Sequence, residues 1–97
     1  MIAENTVSVV VPVFRCGSSL DELYERCNAA INAMNMQLQL ILVCDGDRDE
    51  SWSYVIELAQ RSPGGVKGIL LARNRGQHVA TSAGIQAASG KYTVVMD

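Results

Sequence analysis

The sequence lacks the features that mark several large classes of protein. Its net charge is only −2, so it offers no basic field for nucleic acid and no polybasic stretch for an anionic membrane. It contains no apolar run of the roughly 18 residues that a membrane-spanning helix requires. Its first residues, MIAENT, lack the basic start and apolar stretch of a signal peptide. We therefore expect no nucleic-acid partner and a cytoplasmic location for this part of the protein.

Cysteine is too sparse for a disulfide framework. The three cysteines are an odd number, lie far apart and lack the C-x-x-C spacing of a zinc or redox site. They are therefore expected to be thiols in a reducing compartment. The residues to which we assign packing alone are Cys16, Cys27, Cys44, Met34, Met36 and Trp52.

Two common nucleotide-binding signatures are also missing. The first predicted strand-to-helix turn reads PVFRCGSS rather than G-x-G-x-x-G, and no G-x-x-x-x-G-K-[ST] occurs. These absences argue against a nicotinamide dehydrogenase and a P-loop nucleotidase. A phosphate-binding site without a glycine cradle requires another device, such as a metal ion held by a carboxylate. We assign no catalytic residue within the chain.

What the sequence does contain is a regular alternation of strand and helix patterns. VSVVVPVF, at 7–14, is apolar at nearly every position, as in a strand buried on both faces. Ser19 and Glu22 have the spacing of a capping box, and apolar residues then recur at helical intervals as far as Met34. The other predicted strands are 37–44, 66–72 and 92–96, and the other predicted helices are about 52–59 and 78–88.

The order β-α-β-α-β-α-β predicts one parallel sheet with helices on both faces, half of a doubly wound α/β fold. Small residues in the third helix, among them Ala80, Ala83 and Gly84, would let it lie close to the sheet. Ligands of such sheets bind beyond the carboxyl ends of the strands, where the strand order reverses. In this chain those ends carry both acids and arginines.

Three segments, in order, resemble the start of family 2 glycosyltransferases of the GT-A fold. They are VSVVVPVF, LILVCDGDRDESW and LARNRGQHVATSAGIQAASGKYTVVMD, and the last is the most specific. The likeness is greatest to the dolichol-phosphate mannose synthase and bacterial polyprenyl-phosphate glycosyltransferase branch. It implies that residues 1–97 are a single truncated domain, the Rossmann-like N-terminal half that binds the nucleotide-diphospho-sugar.

The resemblance also implies an activity for the parent protein. It would be a metal-dependent, inverting transfer from a UDP- or GDP-sugar to an acceptor such as polyprenyl phosphate, in the making of cell envelope polysaccharide at the cytoplasmic face of the membrane. The acceptor site of the family lies in the C-terminal half, so we expect the isolated chain to be inactive. The fourth strand would lack its later neighbours, so we expect self-association through its edge.

Site residues follow from the same resemblance. In the family, the fourth strand leads into D-x-D, whose carboxylates bind Mg²⁺ or Mn²⁺ and through it the diphosphate, and Asp97 matches the first aspartate. Pro12, Val13 and Phe14 match the part that lines the base and ribose pocket. Asp45 matches an acid that accepts a hydrogen bond from the base, and such charge-assisted bonds are strong.

A loop after the third strand completes the implied site, and here the chain also departs from the family pattern. Arg73, Asn74 and Gly76 match the loop that closes over the nucleotide, although Arg73, like Asp45, has the alternative of a solvated loop charge. FRC stands where the family usually shows Y-N-E, and CDGD stands for D-D-G-S. Each of these two changes removes one acidic residue of the family pattern, and the first also introduces an arginine, Arg15. A non-catalytic nucleotide-binding or assembly module is therefore a second interpretation.

Overall fold

In the computed structural model of the chain, residues 5–13, 19–45, 51–71 and 77–96 are described, and for Asp45 and residues 77–80 the description is of the backbone alone. All the predicted strands and helices occur in the predicted order. Their bounds are β1 Thr6–Val13, α1 Ser19–Asn32, β2 Gln37–Asp45, α2 Ser51–Arg61, β3 Val66–Leu71, α3 Gln77–Ala87 and β4 Tyr92–Val95.

The four strands form one sheet in the order β3-β2-β1-β4, and every neighbouring pair is parallel. The chain therefore steps outward from β1 to β2 and β3, and then returns to the other side of β1 to form β4. The direction of this winding reverses between β1 and β4. The predicted α/β fold with a parallel sheet is confirmed, as the resemblance to the N-terminal half of a GT-A fold implies.

The two faces of the sheet are covered by different helices. Val9 and Leu40 belong to the larger core, which is closed by Leu20 of α1 and Val55 of α2. On the opposite face Val10, Ile41 and Val43 form a smaller cluster that contacts the end of α3. The connections from β1 to β2 and from β2 to β3 run one way across the sheet, and the connection from β3 to β4 runs the other way. Because each crossover is right-handed, α1 and α2 lie on one face and α3 lies on the opposite face.

Two glycines set how closely helices approach the sheet. A methyl group on Gly84 of α3 would lie 2.2 Å from Val10 Cγ1, well inside van der Waals contact. A methyl on Gly68 of β3 would lie 2.6 Å from Val55 Cγ1 and 3.3 Å from the Trp52 ring. The predicted close approach of the third helix is therefore confirmed, and α2 approaches β3 in the same manner.

The end of α1 differs from the prediction. Asn35 has φ 60°, and the bonds Asn35 N to Asn32 O (2.9 Å) and Met36 N to Ile31 O (3.2 Å) form a Schellman motif. The helix stops there, and Met34 lies in the turn with 57% of its surface exposed. The packing role predicted for Met34 is therefore wrong, because α1 ends at Asn32 and Met34 lies in the turn that follows rather than on the buried face of the helix.

The other residues assigned to packing fall into two groups. Met36, Trp52, Cys27 and Cys44 all contribute to the larger core, as predicted, whereas Cys16 lies outside the described residues. Cys27 and Cys44 are present as thiols. Burial raises the pKa of the Cys27 thiol, because desolvation disfavours the thiolate. Across the described ranges, no helix combines the length and the apolar character needed to cross a bilayer.

Candidate functional site

The carboxyl ends of all four strands lie at one edge of the sheet, which we call the carboxyl edge. Pairing places Val13 of β1 beside Cys44, and Asp45, the last residue of β2, beside Leu71, the last residue of β3. β4 reaches the same edge with Val95 and Met96. The predicted convergence of these strand ends is therefore present, with an acid at the end of β2.

The reversal of strand order lies at the centre of this edge, between β1 and β4. Val95 pairs with Val10, and Met96 N donates to Val10 O at 2.9 Å. β1 continues past this point through Pro12 to Val13, and the described part of the β4 segment ends at Met96. Such a switch point leaves a crevice between diverging chain segments, which is where open parallel sheets bind ligands.

Pro12 has a specific role in ending the β1–β4 ladder. Backbone groups alternate sides along a strand, so Pro12 faces the same neighbour as Val10, which is β4. A continued ladder would require an N–H from position 12 to reach the Met96 carbonyl, and proline has none. Pro12 therefore cannot donate the backbone hydrogen bond that would extend the β1–β4 ladder at this position.

The structure describes three of the predicted site residues. Pro12 and Val13 lie at the carboxyl edge on β1, and Asp45 lies there on β2. Val13 is fully buried in the larger core, so any contact that it makes with a ligand would use its backbone. The predicted site residues that lie outside the described residues are Phe14, Arg73, Asn74, Gly76 and Asp97.

Each of those five residues is close in sequence to a described strand end. Phe14 directly follows β1, Asp97 directly follows Met96, and Arg73 comes two residues after β3 ends at Leu71. Their roles stay predictions. The strands that lead into these residues end at the same edge of the sheet. β1 and β4 lie on either side of the reversal of strand order.

The described residues do not by themselves make a metal site. Among them, no cluster of three or more His, Cys, Asp or Glu side chains could hold a metal ion. The predicted metal ligand, Asp97, lies outside those residues and stays a prediction. Mg²⁺ is commonly held by one or two carboxylates together with substrate phosphates and water, so one carboxylate beside a diphosphate fits its donor chemistry.

A cleft between α1 and α2 was not predicted from the sequence. It has a volume of about 170 Å³, and an ion pair between Asp21 and Arg61 borders it. Sites for small organic ligands usually measure about 300–1,000 Å³, so this cleft is too small for a nucleotide sugar. Its lining residues are Asp21, Tyr24, Glu25, Leu58, Arg61 and Ser62.

Comparison with protein families gives a match over almost the entire chain. Residues 8–97 match the sequence model of the family described as Glycosyl transferase family 2. The matched region includes every predicted site residue and all the strands and helices except the first two residues of β1. It extends from Ser8 of β1 to Asp97.

Curated relatives carry a more detailed name, undecaprenyl-phosphate 4-deoxy-4-formamido-L-arabinose transferase. The protein of this name from Pseudomonas savastanoi pv. phaseolicola (strain 1448A / Race 6) is 37% identical over 91 residues, which are 94% of this chain and 27% of that protein. Those from Edwardsiella ictaluri (strain 93-146) and Shewanella sediminis (strain HAW-EB3) are 42% and 41% identical, each over 94% of this chain and 28% of the relative. The chain thus spans between 27% and 28% of the length of these relatives.

Proposed function

Since the chain belongs to glycosyl transferase family 2, we propose that it is the nucleotide-sugar-binding portion of a glycosyltransferase. The observation that carries this proposal is the reversal of strand order between β1 and β4. It sets the end of β1, where the base and ribose would bind, beside the strand that leads directly into Asp97. A nucleotide diphosphate laid along the carboxyl edge would meet a base-binding region at one end and a carboxylate at the other.

The donor would be held by groups from three strand ends. Asp45 at the end of β2 would accept a hydrogen bond from the imide or amide N–H of uracil or guanine. Backbone groups of Pro12 and Val13, with Phe14, would line the base and ribose pocket. Arg73, together with Asn74 and Gly76, would close over the nucleotide from the loop after β3, where its guanidinium suits phosphate oxygens.

A divalent cation, Mg²⁺ or Mn²⁺, would be held by Asp97 and the diphosphate oxygens. When bound, it supplies positive charge that stabilises the negative charge growing on the leaving diphosphate. The part played by the protein is to hold the carboxylate at the switch point, next to the end of β1. A carboxylate fixed in this way loses little freedom when the metal binds.

The acceptor is proposed to be a polyprenyl phosphate. Support comes from the relatives, whose names specify undecaprenyl phosphate. A phosphate acceptor is already ionised at neutral pH, so an inverting transfer requires little general-base help. The parent protein would then act at the cytoplasmic face of a membrane, in the assembly of cell envelope polysaccharide, and the isolated chain would bind the donor without turning it over.

The experiment that tests this proposal is calorimetric titration of the chain with UDP and GDP, with and without Mg²⁺ or Mn²⁺. A short glycine-serine extension after Asp97 prevents the terminal carboxylate from substituting for the side chain. We expect binding of one nucleotide that strengthens with metal, and loss of the metal effect in Asp97→Asn. Glu57→Gln, an exposed carboxylate on α2, is the matched control and should bind normally.

Two results would overturn parts of the proposal. Equal metal dependence in Asp97→Asn and the unaltered chain would remove Asp97 from the metal site. Turnover of a UDP- or GDP-sugar by the isolated chain would contradict its predicted inactivity.

A non-catalytic nucleotide-binding module is the second candidate, and the loss of two acids from the family pattern favours it. One of those changes falls at Cys44, whose side chain is fully buried in the larger core rather than presented at the edge. The first candidate requires transfer activity in the parent protein, and the second requires nucleotide binding without it. An assay of sugar transfer to polyprenyl phosphate by the parent protein separates them.

A further inference from the structure

A buried polar cluster holds the turn between α3 and β4. Ser8 of β1 and Gln39 of β2 are 0% and 7% exposed, and Ser8 Oγ donates to Gln39 Oε1 at 2.6 Å. Ser89 N donates to the same Gln39 oxygen at 2.9 Å, and Gly90 N donates to Ser8 Oγ at 2.8 Å. We call these four residues the β4 anchor.

The hydrogen bonds of the Ser8 hydroxyl and of the Gln39 carbonyl oxygen are internally matched. The Ser8 hydroxyl gives one hydrogen bond and accepts one, and the Gln39 carbonyl oxygen accepts two with its two lone pairs. Loss of either side chain would leave a partly buried backbone N–H of the turn without its acceptor. Loss of a typical hydrogen bond costs about 1 kcal/mol, so the anchor is sensitive to substitution at either strand.

The turn lies in direct contact with the start of β1. A methyl group on Gly90 would lie 2.7 Å from both Ser8 Oγ and Thr6 O, so no other residue fits without a shift. Lys91 N then donates to Thr6 O at 2.7 Å, which begins the pairing of β4 with β1. The anchor therefore determines the point at which β4 joins the sheet.

β4 has little else to set its register. It is four residues long, it lies at the end of the sheet, and all of its residues are exposed. Strand register is strongly specified where one face is buried and weakly specified where neither is. The buried contacts that distinguish one register of β4 from another are therefore those of its N-terminal turn.

We propose that Ser8 and Gln39 are positioning residues for the metal end of the donor site, an inference that rests on the proposed function of Asp97. They fix the register of β4 on β1 and so fix where the chain leaves β4 towards Asp97. A slip of two residues would move the end of β4 by about 6.6 Å, far more than a metal–oxygen bond of about 2 Å tolerates. A slip of one residue would reverse the faces of every β4 side chain.

The test uses the whole 97-residue chain with the glycine-serine extension and compares Ser8→Ala with Thr93→Val. Thr93 is an exposed hydroxyl residue on β4 itself, so its variant controls for any substitution at this strand pair. The first readout is amide hydrogen exchange at Lys91 and Met96, whose N–H groups bond β1, with Leu40, which bonds Gly65, as the internal reference. We expect exchange at Lys91 and Met96 to accelerate about tenfold in Ser8→Ala and to stay unchanged at Leu40 and in Thr93→Val.

The second readout is affinity for UDP or GDP in the presence of Mn²⁺. The positioning role predicts about a tenfold loss of metal-dependent affinity in Ser8→Ala, with metal-free affinity retained. Accelerated exchange with unchanged metal-dependent affinity would overturn the positioning role, and uniform acceleration at all three amides would reduce the anchor to a general contribution to stability. If Ser8→Ala does not fold, Gln39→Met removes the other acceptor and the same readouts apply.

Failure of the proposed function is distinguishable from failure of the anchor. If the unaltered chain binds neither nucleotide with Mn²⁺, the donor-site proposal is contradicted and the positioning role is lost with it. The exchange rates of Lys91 and Met96 still decide, in that case, whether Ser8 holds β4 in register.

Discussion

Individual residues at two places decide how the sheet and its carboxyl edge are built. Gly84 lets α3 lie directly on Val10, which brings the helix that follows the predicted nucleotide loop close to the sheet. Pro12 removes the N–H that would extend β4 along β1. Both effects were predictable in kind from the sequence, since a small-residue helix face and a proline near a strand end are visible there. The distances and the facing partner were not, because they depend on the strand order.

Gly84→Ala should destabilise the chain. The added methyl would overlap Val10 Cγ1 at 2.2 Å, and overpacking of this kind costs about 1–3 kcal/mol. Urea denaturation provides the free energy of unfolding. Ser82→Ala on the exposed side of α3 is the matched control, with an expected change of about 0.5 kcal/mol or less. Equal stability of the two variants would show that α3 does not lie as close to β1 as described.

Cys27 should make stability depend on pH in the alkaline range. Burial raises the pKa of its thiol above the ordinary value of 9.0, so the folded chain holds the proton more tightly than the unfolded chain. The resulting contribution is fully present below the unfolded pKa and is lost as the pH rises through the folded pKa. The difference in unfolding free energy between the unaltered chain and Cys27→Ala should be constant near neutrality and shrink above pH 9.0, under reducing conditions. A difference that grows with pH would contradict the burial of this thiol.

At the scale of elements, the alternation of apolar strands and amphipathic helices was sufficient to predict the order and approximate bounds of the whole described fold. The end of α1 was predicted wrongly, because apolar residues continue at helical intervals to Met34 in the sequence whereas the helix ends at Asn32. A left-handed Asn35 stops the helix through two backbone hydrogen bonds, and Asn is the main alternative to Gly at this position. The spacing of apolar residues does not predict this helix end, because the Schellman motif is formed by backbone hydrogen bonds rather than by apolar side chains.

Substitution of Asn35 tests that assignment. Ala strongly disfavours the left-handed conformation, whereas Gly adopts it readily. Asn35→Ala should therefore be less stable than Asn35→Gly by about 1 kcal/mol, as measured by thermal or urea unfolding. The same pair of substitutions at Asn32, the last residue of α1, should give the reverse order, because Ala is favoured within a helix.

For the whole molecule, strand order was the property that sequence patterns alone could not provide. A β-α-β-α-β-α-β order is compatible with several arrangements of four parallel strands, and the observed order β3-β2-β1-β4 places the reversal beside the strand that leads into Asp97. The same order leaves β4 at one end of the sheet with Tyr92, Val94 and Val95 exposed by 55%, 46% and 43%. The proposed donor site and the exposed apolar residues of β4 therefore lie on neighbouring strands of the described sheet.

We predict that the isolated chain self-associates through β4, and that the occupant is a second copy of the same strand. The described part of β4 carries no charge, proline or bulge that would block edge pairing. Sedimentation velocity across a concentration series should show a dimer. Val94→Lys should shift the equilibrium towards monomer, whereas Ile56→Lys, an equally apolar exposed position on α2, should not. A monomer at high concentration would contradict the prediction.

The central claim, that the carboxyl edge at the reversal binds a nucleoside diphosphate with a divalent metal, is tested most directly by a ¹H–¹⁵N NMR titration of the chain with UDP and GDP in the presence of Mg²⁺. We expect one nucleotide to shift the amides of Val13, Asp45, Leu71 and Met96 most. We expect little change at Thr6, Gln37 and Lys91, which lie at the opposite ends of β1, β2 and β4. No shift with either nucleotide, or the largest shifts at that opposite edge, would contradict the central claim.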